Sequence, residues 1–546
     1  MPNRTLERRE FLKAMLGGAS FSALDWSVFP VHTGANTSSD EVDAVIIGSG
    51  LGGLSCAAAL ARQGFQPLVL EQHSQPGGYA TSFRRQGGFE FDVSLHSTTV
   101  GERDGIHNLI PGFPEIDEVE FVPHTDLYRV IFPNHDIRVR QRDLAGYVQQ
   151  LIGLFPDEEA GIRALFTEMK DFLDQFWGFR EAMARGGFDM NEVPVRFPLL
   201  ARYSFSTWGR VVDGHLQNPE LKAIVSAQWG YYGLPPSQLA SFYYALPYIG
   251  YLEEGGFYPR GRSQTISDAF VKFIEARGGS VVLNTKVEEI LIRDHTAYGV
   301  RTEDGQEYNG RVVVSNANAI DTFRNMIHED EFLEDYLGRL DGYNMSVSSF
   351  QVFLGLNRDL VGELGLRDSE IFFETDYDSD AGYQRIVNAD IEASGFGLTL
   401  YDNLYEGYSP PGKNTVNILS LQGYDHWQKF EKDYWAGEKT AYWAEKNRMA
   451  DILIKRVEGS LMPGLSEAIE VKEIGTPLTN IRYTGHPRGA IYGWDQTLNN
   501  SGGNRVGNST PIKNLYLAGA WSSPGHGYSA VINSGLMCFS EIMSGW

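Results

Sequence analysis

The stretch Val42-Asp43-Ala44-Val45-Ile46-Ile47-Gly48-Ser49-Gly50-Leu51-Gly52-Gly53 decides the fold of this chain. Val42 to Ile47 is a short apolar run rich in β-branched side chains, the composition of a strand buried on both faces of a parallel sheet. It runs directly into the glycine turn, and the Ala-rich residues Leu54 to Arg62 then read as a helix. A second strand is expected from Pro67 to Leu70, ending in Glu71 and Gln72. Strand, glycine turn, helix, strand and acid in this order make a βαβ unit that binds a dinucleotide. Gly48 permits the tight turn, Gly50 lets the backbone approach a pyrophosphate, and Gly53 lets helix and strand pack closely. The helix start offers free N–H groups and a partial positive charge to the phosphates. Ser49, Leu51 and Gly52 in the loop and Gln72 beside the acid join the expected contacts, and Glu71 is expected to accept hydrogen bonds from ribose hydroxyls.

Working outward, 546 residues are too many for one compact core, so more than one domain is expected. Apolar residues make up 42% of the chain, which excludes a largely disordered protein. Acidic residues outnumber basic ones 70 to 46, for a net charge of −24, which disfavours nucleic acid and anionic lipid as partners. Cys56 and Cys538 are the only cysteines, too few for a disulfide framework or a zinc cluster. The 12 histidines show no His-x-x-x-His spacing, and no Gly-x-Ser-x-Gly element is present, so neither metal-assisted nor serine hydrolysis is indicated.

Six residues after Glu71 comes Gly77-Gly78-Tyr79-Ala80-Thr81-Ser82, then Gly88-Phe89-Glu90-Phe91-Asp92. This resembles the extended FAD fingerprint of the flavoprotein superfamily that includes amine oxidases and phytoene desaturases. The resemblance implies FAD as cofactor, with Gly77, Gly78, Tyr79 and Ser82 running beside its pyrophosphate and ribityl chain. Near the C-terminus, Leu515-Tyr516-Leu517-Ala518-Gly519-Ala520 reads as a strand entering a turn. Gly527-Tyr528-Ser529-Ala530-Val531 then opens a helix running to about Met543. Its N-terminus suits an electron-rich group, and the resemblance makes Gly519, Ala520, Gly527, Tyr528 and Val531 cofactor contacts. Ala520 stands where the superfamily usually has Asp. Between the halves, a strand at Val281–Leu283, the Asp304-Gly305 hairpin turn and Asn316-Ala317 continue the pattern. It implies that Val287 meets adenine and that Asn316 and Ala317 close over the dinucleotide.

Gly48 to His96, Tyr258 to Ala317 and Thr476 to Gly535 resemble the phytoene desaturase family, on the branch with carotenoid isomerases and retinol saturases. Phe91-Asp92-Val93-Ser94-Leu95-His96 and the stretch from Arg482 to Trp494 are its most specific segments. The resemblance implies an α/β protein with a discontinuous Rossmann-like FAD domain and a second, α+β substrate domain. The expected FAD segments are residues 41–135, 255–325 and 475–546, and the substrate segments 136–254 and 326–474, behind a leader and linker at 1–40. It further implies desaturation, saturation or cis–trans isomerisation of a hydrophobic polyene.

The intervening segments supply material for an apolar tunnel. Ile162, Leu165, Phe166, Met169, Phe172, Leu173, Phe176 and Phe179 recur at helical spacing, and Ser226 to Tyr251 adds a dense set of aromatics. Domain core and substrate pocket are both open readings for these residues. Two readings also stand for His96: a proton donor or acceptor oriented by Asp92, or a structural histidine. Tyr492 is the second catalytic candidate beside His96; it and Trp494 line the pocket or fill the core, and His526 tunes the flavin or caps a helix. An amine or amino-acid oxidase on the same architecture is the second enzyme reading. A prenyl-lipid carrier resembling Rab GDP-dissociation inhibitors is the non-enzyme reading, and the intact glycine fingerprint argues against it.

Arg8-Arg9-Glu10-Phe11-Leu12-Lys13 before a short apolar stretch resembles a bacterial twin-arginine export signal, although Glu7 replaces the usual Ser or Thr. A periplasmic protein is expected, with a quinone, oxygen or another protein as electron acceptor and no more than peripheral membrane contact. If the segment is only a basic tail, the expected location is the cytoplasm.

Overall fold

The computed structural model describes Trp26 and residues 41–100, 105–110, 112–185, 188–328 and 331–546. The twin-arginine motif lies outside the described residues. Two seven-stranded sheets organise the rest.

In the first sheet, Glu41–Ile47 pairs in parallel with Pro67–Leu70 on one edge and Glu307–Ser315 on the other. Ser280–Val282 extends the sheet beyond Pro67–Leu70, also in parallel. The start of Glu307–Ser315 pairs antiparallel with Thr296–Thr302, which forms a hairpin with Val287–Arg293, and its end pairs in parallel with Leu515–Leu517. Alternate residues of the central strand enter different cores: Ala44 and Ile46 pack against the helical face, Val45 and Ile47 against the opposite one. A strand buried on both faces explains the unbroken apolar run.

The helix Leu51–Arg62 crosses the C-terminal helix Tyr528–Gly545 so closely that a Cβ at Gly535 would lie 2.0 Å from Ser55 Oγ and 2.2 Å from Gly52 O. The segment after the glycine turn and the C-terminal helix thus share one helix–helix contact beside that turn.

The second sheet runs Ile469–Gly475, Ser348–Leu356, Asn414–Gln422, Phe396–Thr399, Glu370–Phe373, Tyr128–Ile131, Asp136–Val139. All its neighbours are antiparallel except Glu370–Phe373 and Tyr128–Ile131. One boundary needs correction. Residues 128–135, expected in the first FAD segment, belong to this second sheet. Tyr128–Ile131 and Asp136–Val139 form a hairpin closed by Phe132 N donating to His135 O at 2.8 Å, so a cut at 135 divides two paired strands. The helix Glu159–Ala184 carries the expected apolar stripe, and Ile162, Leu165, Met169, Phe172 and Phe179 are fully buried against neighbouring helices. For them the core reading holds, each contributing about 1.5–3 kcal/mol through burial.

Candidate active site

A cavity of about 690 Å³ opens between the two sheets, and its walls come from both. At one end stand the carboxyl ends of the parallel strands and the glycine turn. Gly48, with φ +89°, makes the turn that only glycine adopts freely. Gly50 and Gly77 pair as a short bridge, with Gly77 N donating to Ser49 O at 3.0 Å, so the two glycine motifs form one surface. The Asn316 carboxamide explains several glycines at once. A Cβ would come within 2.7 Å of its Nδ2 at Gly50, and within 2.6 Å of its Oδ1 at Gly52 and at Gly519. Neither Gly50 nor Gly527 caps its helix with a side chain, so each leaves first-turn N–H groups for a ligand.

Most expected cofactor residues line this space: Gly48, Gly50, Leu51, Gly52, Glu71 and Gln72 from the first unit, and Gly77, Gly78 and Tyr79 from the second motif. Val287, Asn316 and Ala317 join them, as do Gly519, Ala520, Gly527, Tyr528 and Val531. Three others are absent from the lining among the described residues. Ser49 is buried behind Glu71, giving its N–H at 2.8 Å and its hydroxyl at 2.7 Å to Oε2. Together with His73 N on Oε1 at 2.9 Å, these bonds hold the acid in place for a ribose. Gly53 faces the strand, where a Cβ would meet Gly48 O at 2.4 Å. Ser82 is tied into a strand pair and donates to Glu90 Oε1 at 2.6 Å.

Arg505 escaped the sequence reading. It is buried, and its guanidinium donates to the carbonyls of Ser522, Asp495, Asn500, Trp494 and Ala520. It therefore fixes the turn after Gly519 by an internal cation, where the superfamily Asp is missing. Nothing in the local sequence marks an arginine as buried.

At the other end the cavity becomes an aromatic arm, walled by Phe176, Trp177, Tyr231, Tyr232, Phe242 and Tyr251. Phe176 is thus the member of the helical stripe that reaches the cavity. Tyr492 also lines it; its hydroxyl donates to Gly230 O at 3.0 Å and its ring stacks on His526 at 4.3 Å between centroids. Tyr492 is thus a wall of the cavity, with its hydroxyl committed to a backbone carbonyl. Trp494 is fully buried in the core. Burial, reinforced by the Arg505 charge, holds His526 down to about 3, and burial holds His486 down to about 4. Both rings are neutral near pH 7.

His96 lines the cavity, but Asp92 does not orient it. The Asp92 carboxylate turns to Tyr258 and Ser263, with Ser263 N donating at 3.0 Å, while Leu95 packs with Tyr258, Tyr401 and Tyr408. The group facing His96 is Glu370, from the second sheet: Nδ1 and Oε1 lie 3.6 Å apart. Tyr231 Oη donates to Glu370 Oε2 at 2.7 Å and Tyr401 Oη to Oε1 at 3.2 Å. Burial alone would raise the Glu370 carboxyl, yet His96, His124 and Tyr231 together bring it below the usual carboxylate range. The site thus contains a buried anion beside a cavity-facing imidazole.

A family model described as "Flavin containing amine oxidoreductase" matches residues 51–434. The chain belongs to the flavin-containing amine oxidoreductase family. This flavin oxidoreductase is 28% identical over 535 residues to the all-trans-retinol 13,14-reductase of Danio rerio, covering 92% of this chain and 86% of that protein. It is 26% identical over 521 residues to the chloroplastic prolycopene isomerase of Daucus carota, covering 92% and 80%. The structure of an oxidoreductase from Methanosarcina mazei superposes with a TM-score of 0.58 at 16% identity, over 92% of this chain and 100% of that one, a likeness of fold. The family implies FAD, and the residues fit it. At Gly50, Gly52 and Gly519 the backbone leaves no room for a side chain, a Cβ at Gly527 would stand in open space, and the buried donors Ser97 Oγ and Trp521 Nε1, on cavity-lining residues, have no partner among the described residues. A bound flavin supplies two-electron hydrogen transfer. Gly50, Gly78 and the helix start after Gly50 would hold its phosphates, Glu71 its ribose, the helix start after Gly527 an electron-rich edge of the flavin, and the aromatic arm would exclude water from its ring.

Proposed function

We propose that this protein is an FAD-dependent oxidoreductase that moves hydrogen at C–C or C=C bonds of a hydrophobic polyene or isoprenoid-like substrate. The observation that carries this reading is the continuity of the glycine cradle with an arm whose walls are rings. An extended apolar chain entering that arm loses water along its length, and its far end meets the cradle. The chain's own contribution to chemistry is a proton, held at His96 on the arm side. The retinol reductase and the prolycopene isomerase among its relatives support the substrate class, and desaturation, saturation and isomerisation all suit this arrangement. The reading includes export to the periplasm through Arg8-Arg9, with a quinone, oxygen or another protein as electron acceptor.

One residue favours a second reading, an amine or amino-acid oxidase. Arg180 lines the cavity, although its guanidinium sits 4.7 Å from the Trp177 ring centroid and is engaged with the aromatic wall. The test is chromatographic. The flavin-loaded enzyme, oxidised in one series and chemically reduced in another, is incubated without oxygen with polyenes, isoprenoid lipids, amines and amino acids. Saturated, desaturated or isomerised polyene is expected. Turnover of amines alone would replace this reading with the second.

A further inference from the structure

Glu370 is 2% exposed at the start of its strand. A carboxylate buried this deeply is costly unless it is hydrogen-bonded and its charge is matched. Four titratable groups face it from four separate segments: His96, His124, Tyr231 and Tyr401. Burial keeps Tyr231 and Tyr401 protonated and neutral, and it lowers His124, whose Nδ1 is engaged with Ser369 Oγ at 2.8 Å. Among the described residues, no lysine or arginine forms an ion pair with Glu370, and His96 is the cavity-lining group beside it.

We propose that Glu370 is the positioning residue for His96, turning Nδ1 inward as a donor so that Nε2 is presented to the substrate, and keeping one proton on the buried pair. The proposal rests on the function given above and deepens it, since a proton stored on this pair is what an acid or base at a polyene carbon requires. The 3.6 Å separation is short of hydrogen-bond contact, and such catalytic contacts tighten when substrate closes the site. Carboxylates fix histidine tautomers in this way at other sites.

The experiment uses flavin-loaded protein with ¹⁵N-labelled histidine, the His96 signals being assigned by their loss in His96→Ala. Wild type is expected to show a persistent Nδ1–H form, and Glu370→Gln to lose that single form. Turnover per flavin should fall about 10-fold or more in Glu370→Gln, with KM little changed, recover partly in Glu370→Asp, and fall no further when Glu370→Gln is added to His96→Ala. An unchanged His96 spectrum in Glu370→Gln, or the same fold loss with and without His96, would overturn the proposal. Should Glu370→Gln lose flavin, Glu370→Asp is read by the same spectra. If wild type converts no polyene, the functional reading fails, while the ¹⁵N spectra still decide whether Glu370 governs His96.

Discussion

The two ends of the cavity are built on different principles. The cradle is made of backbone: glycines that leave space, helix starts that offer N–H groups, and a single carboxamide, Asn316, wedged among Gly50, Gly52 and Gly519. The arm is made of side chains from separate helices and a second sheet, and His96 on its wall lies 3.6 Å from the buried Glu370 carboxylate. The difference predicts how each end fails. At Gly50, Gly52 and Gly519 the cradle tolerates no added atom, whereas an arm loses function by degrees.

The largest effect is expected at Gly50→Val. Its Cβ alone would fall 2.7 Å from Asn316 Nδ2, and the branched methyls would fill the phosphate approach. Protein that is folded by circular dichroism but colourless is the expected outcome, and normal flavin content would break the contrast between the two ends. Next comes His96→Ala, where turnover per flavin should fall about 100-fold, the scale for losing a general acid or base. Flavin content and Tm should hold. A lower Tm with intact turnover would make His96 structural.

Smaller effects sharpen the picture of the arm. Phe242 meets Phe176 edge-on at 5.8 Å between centroids. Phe242→Ala should raise KM roughly 10-fold through the loss of about 0.5–1.5 kcal/mol of ring contact and some burial, without changing flavin content. The smallest effect concerns acid stability. His486 lies at about 4 in the folded protein, below its ordinary value of 6.5. Between these values the unfolded chain binds the proton and the folded one does not, so stability rises with pH across that window and is lost as pH falls through it. His486→Gln, which keeps a donor for Ala490 O, should flatten this slope by on the order of 1 kcal/mol, read from urea denaturation between pH 4 and 7.

The same contrast explains what could be read without a structure. The strand before Gly48, the helix after it, Glu71 and the C-terminal strand–turn–helix were legible because spacing along the chain sets backbone geometry locally. Ser49 and Ser82 sit in those motifs yet face inward, since a motif marks a segment and not which way each side chain turns. Glu370 and Arg505 were missed for another reason. A charged residue in one sequence reads as surface, and only tertiary packing reveals the imidazole or the carbonyls that make its burial tolerable. Asp92 was the nearest acid in sequence to His96, but its carboxylate is taken by Tyr258 and Ser263, while the acid beside His96 comes from a strand more than 270 residues away.

The most direct test of the account is a titration of the purified, flavin-loaded enzyme under anaerobic conditions with a hydrophobic polyene, then separately with a diamine, following the visible flavin spectrum. The account predicts that the polyene perturbs or bleaches the flavin bands in wild type, more weakly in Phe242→Ala, and that the diamine leaves them unchanged. Bleaching by the diamine with no response to any polyene would contradict it.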